Sequence, residues 1–219
     1  MKEWIEIFSV FDYISIGMLL GAVALVSLTR IESLIRAYVG NSWLLAGLMG
    51  VSAVILGEPH LYAASLLTAI TKGALIPLFL RRVVRRLEVT REIEPFVSTP
   101  MSLIISFVLV GIVYSSISRA VFLTGMAETL LKVAISITLI SLFVMISRRK
   151  AVTQVIALLF MENGLFLAGF GLTKGMPALI ELGVLFDLLM GIIILGVFAV
   201  QIKKTFVSVD LDRLTTLKG

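Results

Sequence analysis

Long apolar runs broken by short polar or basic stretches dominate the chain. The clearest case is Ala151–Lys204, which reads as two apolar helices joined by a Gly/Pro turn from Gly171 to Pro177. Each is long enough to cross a hydrocarbon layer of ~30 Å at ~1.5 Å rise per residue. The same pattern recurs upstream. It predicts seven membrane-spanning helices at Phe11–Leu28, Tyr38–Leu56, Leu61–Leu80, Met101–Ile117, Thr129–Ser147, Ala151–Leu172 and Ala178–Gln201. All are expected to be helical, because an apolar backbone in lipid must satisfy its own hydrogen bonds. The fold class is therefore all-α and integral to the membrane. Residues 1–100 form an N-terminal three-helix half ending in the basic stretch Arg81–Pro100. Residues 101–128 supply a linker helix, 129–204 a second three-helix unit, and 205–219 a tail outside the membrane.

A weak internal similarity accompanies this division. Asn41-Ser-Trp-Leu-Leu-Ala-Gly47 matches Asn163-Gly-Leu-Phe-Leu-Ala-Gly169 at Asn, the second Leu, Ala and Gly, and Gly57-Glu-Pro59 aligns with Gly175-Met-Pro177. Spans one to three would then repeat as five to seven. A parallel 3+1+3 duplication follows, because the linker helix restores the direction of the second copy.

Composition narrows the chemistry. The 219 residues are 59% hydrophobic and 15% charged, more apolar than a soluble domain of this size can cover. No cysteine is present, which removes disulfides, thiolate metal sites and iron–sulfur ligation. One histidine, His60, leaves no haem or zinc cluster. The expectation is a chain with no cofactor and no redox chemistry of its own. The start, MKEWIEIF, reads as lacking a cleavable signal. The net charge of +5 gathers in loops beside apolar segments, so it speaks for membrane orientation and not for nucleic acid. Of 19 basic residues, 14 fall in alternate loops: Arg30 and Arg36; Arg81, Arg82, Arg85, Arg86 and Arg91; Arg148, Arg149 and Lys150; Lys203, Lys204, Arg213 and Lys218. With seven spans, all of these lie on one side. The positive-inside rule then puts the N-terminus outside and the C-terminus in the cytoplasm.

Charged residues inside the spans are the candidate chemistry. Glu162 sits about eleven residues into the sixth span, ~16 Å deep, and Asp187 lies at a similar depth in the seventh. Lys72, in the third span, falls near the same midplane. Two readings stand for this trio. It is a buried ion-pair set that fixes helix packing, or it is a set of proton relays. Low dielectric disfavours the charged form of an acid or an amine, so both approach the neutrality at which protons are exchanged. Equal depth on several helices suits lateral hand-over. Peripheral candidates are Lys132, which reads as an i,i+4 partner of Glu128 near the outer end of its span, and Glu181 and His60 at headgroup level. Glycines at 164, 169, 171, 183 and 191 allow close helix approach. Pro77 frees a carbonyl one turn back, in the helix that carries Lys72.

Three motifs carry a family resemblance. Met-Glu-Asn-Gly at Met161–Gly164, the Thr-Lys-x-x-Leu-x-Pro-Leu stretch at Thr71–Leu78, and the ending Leu-x-x-Leu-Thr-x-Leu-Lys-Gly at Leu211–Gly219 resemble component E of hydrogenase-4 and formate-hydrogenlyase-type membrane complexes. The last three spans also resemble the small K-type subunit of respiratory complex I. The resemblance implies a non-catalytic membrane-arm subunit of a group 4 NiFe-hydrogenase-like complex, coupling electron transfer in partner subunits to proton or sodium movement. Its implied partners are antiporter-like and complex I-like membrane subunits, hydrogenase or related redox subunits, and the lipid bilayer. In K-type subunits two mid-membrane glutamates on adjacent helices belong to a hydrophilic axis. Glu162 matches the first, whereas Asp187 stands one methylene short at the second. Lys72 belongs to the extra N-terminal half, and intramembrane lysines serve pumping in antiporter-like subunits by analogy.

Other readings are a C-type subunit of a multisubunit cation/proton antiporter without a redox arm, a stand-alone transporter, and a scaffold whose charges only fix register. No span shows the central break expected of a dedicated substrate site. The topology is open to direct measurement. Green fluorescent protein fused after Gly219 should fluoresce and alkaline phosphatase at the same point should be silent. The reverse pattern would invert the orientation.

Overall fold

The computed structural model describes residues 2–87, 96–120 and 125–173, together with Gly183 and Gly191. Among the described residues every regular element is helical. These are α1 (Lys2–Ser27), α2 (Ile31–Leu56), α3 (Pro59–Ile70), a π-helical turn (Thr71–Leu75), α4 (Ile76–Leu87), α5 (Thr99–Ala120), α6 (Met126–Ser147) and α7 (Ala151–Thr173). The π turn joins α3 and α4 into one continuous rod. Among the described residues six helical stretches are long and apolar enough to cross a membrane: Val10–Ser27, Ile31–Leu56, Pro59–Arg85, Thr99–Ser118, Met126–Ser147 and Ala151–Thr173. They match the first six predicted spans. The seventh, 178–201, lies outside the described residues.

Boundaries follow local chemistry. α2 ends at Gly57, whose left-handed φ of 67° lets its N–H reach the Ala53 carbonyl at 2.9 Å. Pro59 then opens α3 at a position that needs no donor. Two helices run longer than hydropathy alone predicts. α2 starts at Ile31 and not Tyr38, because Ile31, Leu34 and Ile35 are fully buried against the core. The third rod continues through Arg81–Leu87, where Val83 stays buried while Arg81 meets Glu32 (Nε–Oε1 3.1 Å).

The helices form one bundle in which α7 is the most enclosed. α6 and α7 run antiparallel in close contact, α1 packs on α2 and α6, and α2 touches α3 and α7. α5 leans on α1 and α6 at the edge. The α6–α7 approach depends on missing side chains. A Cβ on Gly164 would lie 2.8 Å from Thr138 Oγ1 and 3.0 Å from the Ala134 carbonyl, and one on Gly171 would lie 3.0 Å from Leu130 Cβ. Dispersion between closely approached backbones is the main attraction available to helices in lipid. Tyr38 and Phe160 fill the α2–α7 seam with ring centroids 6.1 Å apart.

One end of the bundle collects the basic loops. Arg148 is only 3% exposed, and its Nη2 donates to the Val26 carbonyl at 2.5 Å, satisfying the C-terminal end of α1. The Phe96 N–H bonds the Ser147 carbonyl at 2.9 Å, and the Arg149 guanidinium lies 4.4 Å from the Phe96 ring centroid. Together with Arg81–Glu32 these contacts bring three of the basic segments to the same end. Gly164→Leu should prise α6 from α7 and cost at least about 1–3 kcal/mol, the usual range for overpacking. Lost recovery of this subunit in the solubilised complex, with Gly40→Leu tolerated because a Cβ there meets nothing within 4 Å, would register it.

Candidate functional site

Lys72 and Glu162 meet inside the bundle. Lys72 Nζ lies 3.1 Å from Glu162 Oε1, and the two side chains are 1% and 5% exposed. Lys72 comes from the π turn, Glu162 from the middle of α7. An isolated ion in such surroundings costs several kcal/mol, so the two charges depend on each other. The pair has a second form. Moving one proton from Nζ to Oε1 gives a neutral amine and a neutral acid with no change in net charge. A third group holds the ammonium in place, since the Phe166 ring, one turn beyond Glu162, has its centroid 5.6 Å from Lys72 Nζ. Gly183 packs against that ring with no room for a Cβ.

The π turn has a local cause. A proline at position 77 has no N–H and would press its ring on the Gly73 carbonyl in a regular α-helix. Widening the turn moves that carbonyl aside, and the Ile76 N–H bonds the Thr71 carbonyl instead. The extra residue re-aims the side chains it contains. Lys72 turns inward to 1% exposure, while Leu75 and Leu78 are 57% and 60% exposed. Trp43 of α2 covers the other side, where a Cβ on Gly73 would lie 3.0 Å from the indole Nε1. The sequence predicts an unbroken third span. The helix is continuous but locally rewound at its one lysine.

Glu162's neighbour, Asn163, builds a second polar contact around the axis of α7. Asn163 Nδ2 donates to Asn41 Oδ1 at 3.2 Å and to Ser42 Oγ at 3.1 Å, and Asn41 Nδ2 donates to the Met18 carbonyl at 2.9 Å. All three polar residues are at most 2% exposed. The chain has only two asparagines, and they touch. α7 is thus pinned to α2 through amides and to the π turn through charges, and α2 is pinned to α1. Both asparagines were visible in sequence as the heads of the two similar heptapeptides. That they bond each other was not.

The remaining candidates lie elsewhere. Lys132 pairs with Glu128 at 2.6 Å, the i,i+4 contact that the spacing predicts, and Ser118 Oγ donates to the same carboxylate oxygen at 3.3 Å. His60 Nδ1 sits 3.4 Å from Glu58 Oε2 at an exposed turn. Asp187 and Glu181 lie outside the described residues. No group of three or more His, Cys, Asp or Glu side chains able to hold a metal occurs among the described residues.

Comparison with known proteins gives distant, full-length similarities. The chain is 28% identical over 209 residues to an uncharacterized protein of Mycobacterium tuberculosis, covering 94% of this chain and 95% of that one. It is 25% identical over 205 residues to hydrogenase-4 component E of Escherichia coli, covering 92% and 94% respectively, and the component E of Shigella flexneri matches equally. No family model matches the chain, and no solved structure does. Six membrane-length apolar helices among the described residues describe a multi-pass membrane protein, one distantly similar to hydrogenase-4 component E over most of its length.

Proposed function

We propose that this chain is a membrane-arm subunit of a hydrogenase-4 or formate-hydrogenlyase-like complex, and that Lys72, Glu162 and Asp187 relay protons laterally through it. The observation that carries the reading is the Lys72–Glu162 pair. It joins the turn between α3 and α4 to the middle of α7 and is enclosed by protein. A purely structural role would be served as well or better by apolar packing. A relay needs neighbouring groups that can exchange a proton, and the pair sets a carboxylate acceptor beside an ammonium donor. Glu162 gives and takes the proton; Lys72 sets the local charge and passes it on. Asp187 continues the path in the seventh span, with partner subunits on either side. Electron transfer belongs to those partners, which would include the hydrogenase or a related redox unit. The N-terminus lies outside and the basic loops face the cytoplasm in this arrangement. The contact between Asn41 and Asn163 supports descent of the two three-helix units from one parallel repeat.

Two measurements test this. Glu162→Gln should leave the complex assembled while lowering ion translocation per turnover on the order of a hundredfold, the lower range for loss of a proton-transfer group. Undiminished pumping in that variant rejects the relay. Lys72→Met should destabilise the subunit by about 3–5 kcal/mol through the carboxylate it strands, and Lys72→Met with Glu162→Leu should recover thermal stability without recovering pumping. Pumping restored by the apolar double variant would reduce the pair to packing.

A further inference from the structure

A second charged cluster lies near the end of the bundle opposite the basic loops, where α1, α5 and α6 converge. Lys132 Nζ bonds Glu128 Oε1 at 2.6 Å and lies 5.5 Å from the centroid of the Tyr114 ring. Ser118 Oγ donates to that carboxylate. Asp12 of α1, half-buried, is close enough to act electrostatically on the Tyr114 phenol. The Lys132 and Glu128 side chains are 15% and 25% exposed, so the group is neither lipid-facing decoration nor sealed core.

One turn inward on the same face of α6 stands Ser136. It is fully buried, and its hydroxyl has no hydrogen-bond partner among the described residues. Ser141, further along α6, is equally buried and equally unpartnered among the described residues. Ser15, Ser52, Ser106 and Thr138 each return their hydroxyl to the carbonyl four residues back, at 2.7–2.9 Å. A serine in an apolar helix does this by default, because the alternative is an unsatisfied polar group. Ser136 forgoes it, which calls for another partner. Its depth is also informative. Gly164 packs between Ala134 and Thr138, so Ser136 stands level with Gly164 on the face of α6 turned away from that contact.

We propose that Asp12, Tyr114, Ser118, Glu128 and Lys132 line a water-filled access site that reaches Ser136 at the depth of Glu162, its ligand being water and the proton that water carries. The charged rim holds water at the membrane face, and the Ser136 hydroxyl holds its innermost molecule. The purpose of this water rests on the relay reading of Glu162; its presence does not.

The absence of native cysteine makes the test direct. In the intact complex, in sealed vesicles of either orientation, Ser136→Cys is exposed to membrane-impermeant sulfonatoethyl methanethiosulfonate and the subunit mass is followed. Modification from the face opposite the basic loops, at least tenfold faster than for the neighbouring Ile137→Cys, is the expected result. Lys132→Met should then slow this anionic reagent several-fold. Should Ser136→Cys fail to assemble, Lys132→Cys against Val133→Cys gives the same comparison one turn outward. Equal rates within either pair, or modification only from the basic-loop face, overturns the access site. Labelling is read without turnover, so it can fail while Glu162→Gln still abolishes pumping, and the converse result is equally readable.

Discussion

Everything at the centre of this molecule follows from the cost of charge in a medium of low dielectric. Lys72 and Glu162 each keep only a few per cent of their surface exposed, and each offsets part of the cost of burying the other. Their meeting at 3.1 Å therefore constrains the bundle more tightly than any apolar contact. It fixes the rotation of α7, the depth of the third rod and the winding of the turn between α3 and α4. A regular helix through Pro77 would place a clashing carbonyl at Gly73; the π turn relieves that clash and presents the amine inward in one adjustment.

Charge alone would leave α7 free to slide, and the rest of the packing removes that freedom. Gly164 and Gly171 bring α6 and α7 to backbone contact, and the hydrogen bond from the Asn163 amide to the Asn41 amide oxygen ties α7 to α2 from another side. Lipid offers helices no hydrophobic reason to associate, so close backbones and buried hydrogen bonds supply the attraction that water would supply in a soluble bundle. At the basic end, Arg148 is used for structure: it reaches the last carbonyls of α1 and is enclosed. Lys132 keeps its partner within its own helix, which leaves its surroundings polar and half-open. Three cations in one protein thus meet three environments, and only one of these is sealed with its acid from another helix.

How much of this was legible beforehand depends on the range of the interaction. The first six spans are legible because hydrophobic burial is a property of whole segments. The helices run several residues past the apolar pattern at the start of α2 and after Leu80, since a helix continues when neighbours cover Ile31 or an acid such as Glu32 meets Arg81. Lys72 and Glu162 were placed at one depth by counting ~1.5 Å per residue from opposite membrane faces. The Lys132–Glu128 contact was readable as an i,i+4 spacing. Asp12 passed unnoticed, because near a span end one acid looks like any headgroup residue until α5 and α6 are set beside it.

Composition and local pattern suffice to establish a chain of membrane helices with basic connections, without cysteine chemistry, and with ionisable residues far inside its predicted spans. Those are consequences of composition and of a period that runs along one segment. Which helices touch, and on which face, was decided only in three dimensions. Asn41 and Asn163 stand 122 positions apart and share a hydrogen bond; Arg148 and Val26 are separated by the same interval and do likewise. Rotation of a helix about its axis is invisible in an apolar run, whose faces all look alike to lipid. It is set by the few polar groups that must find each other.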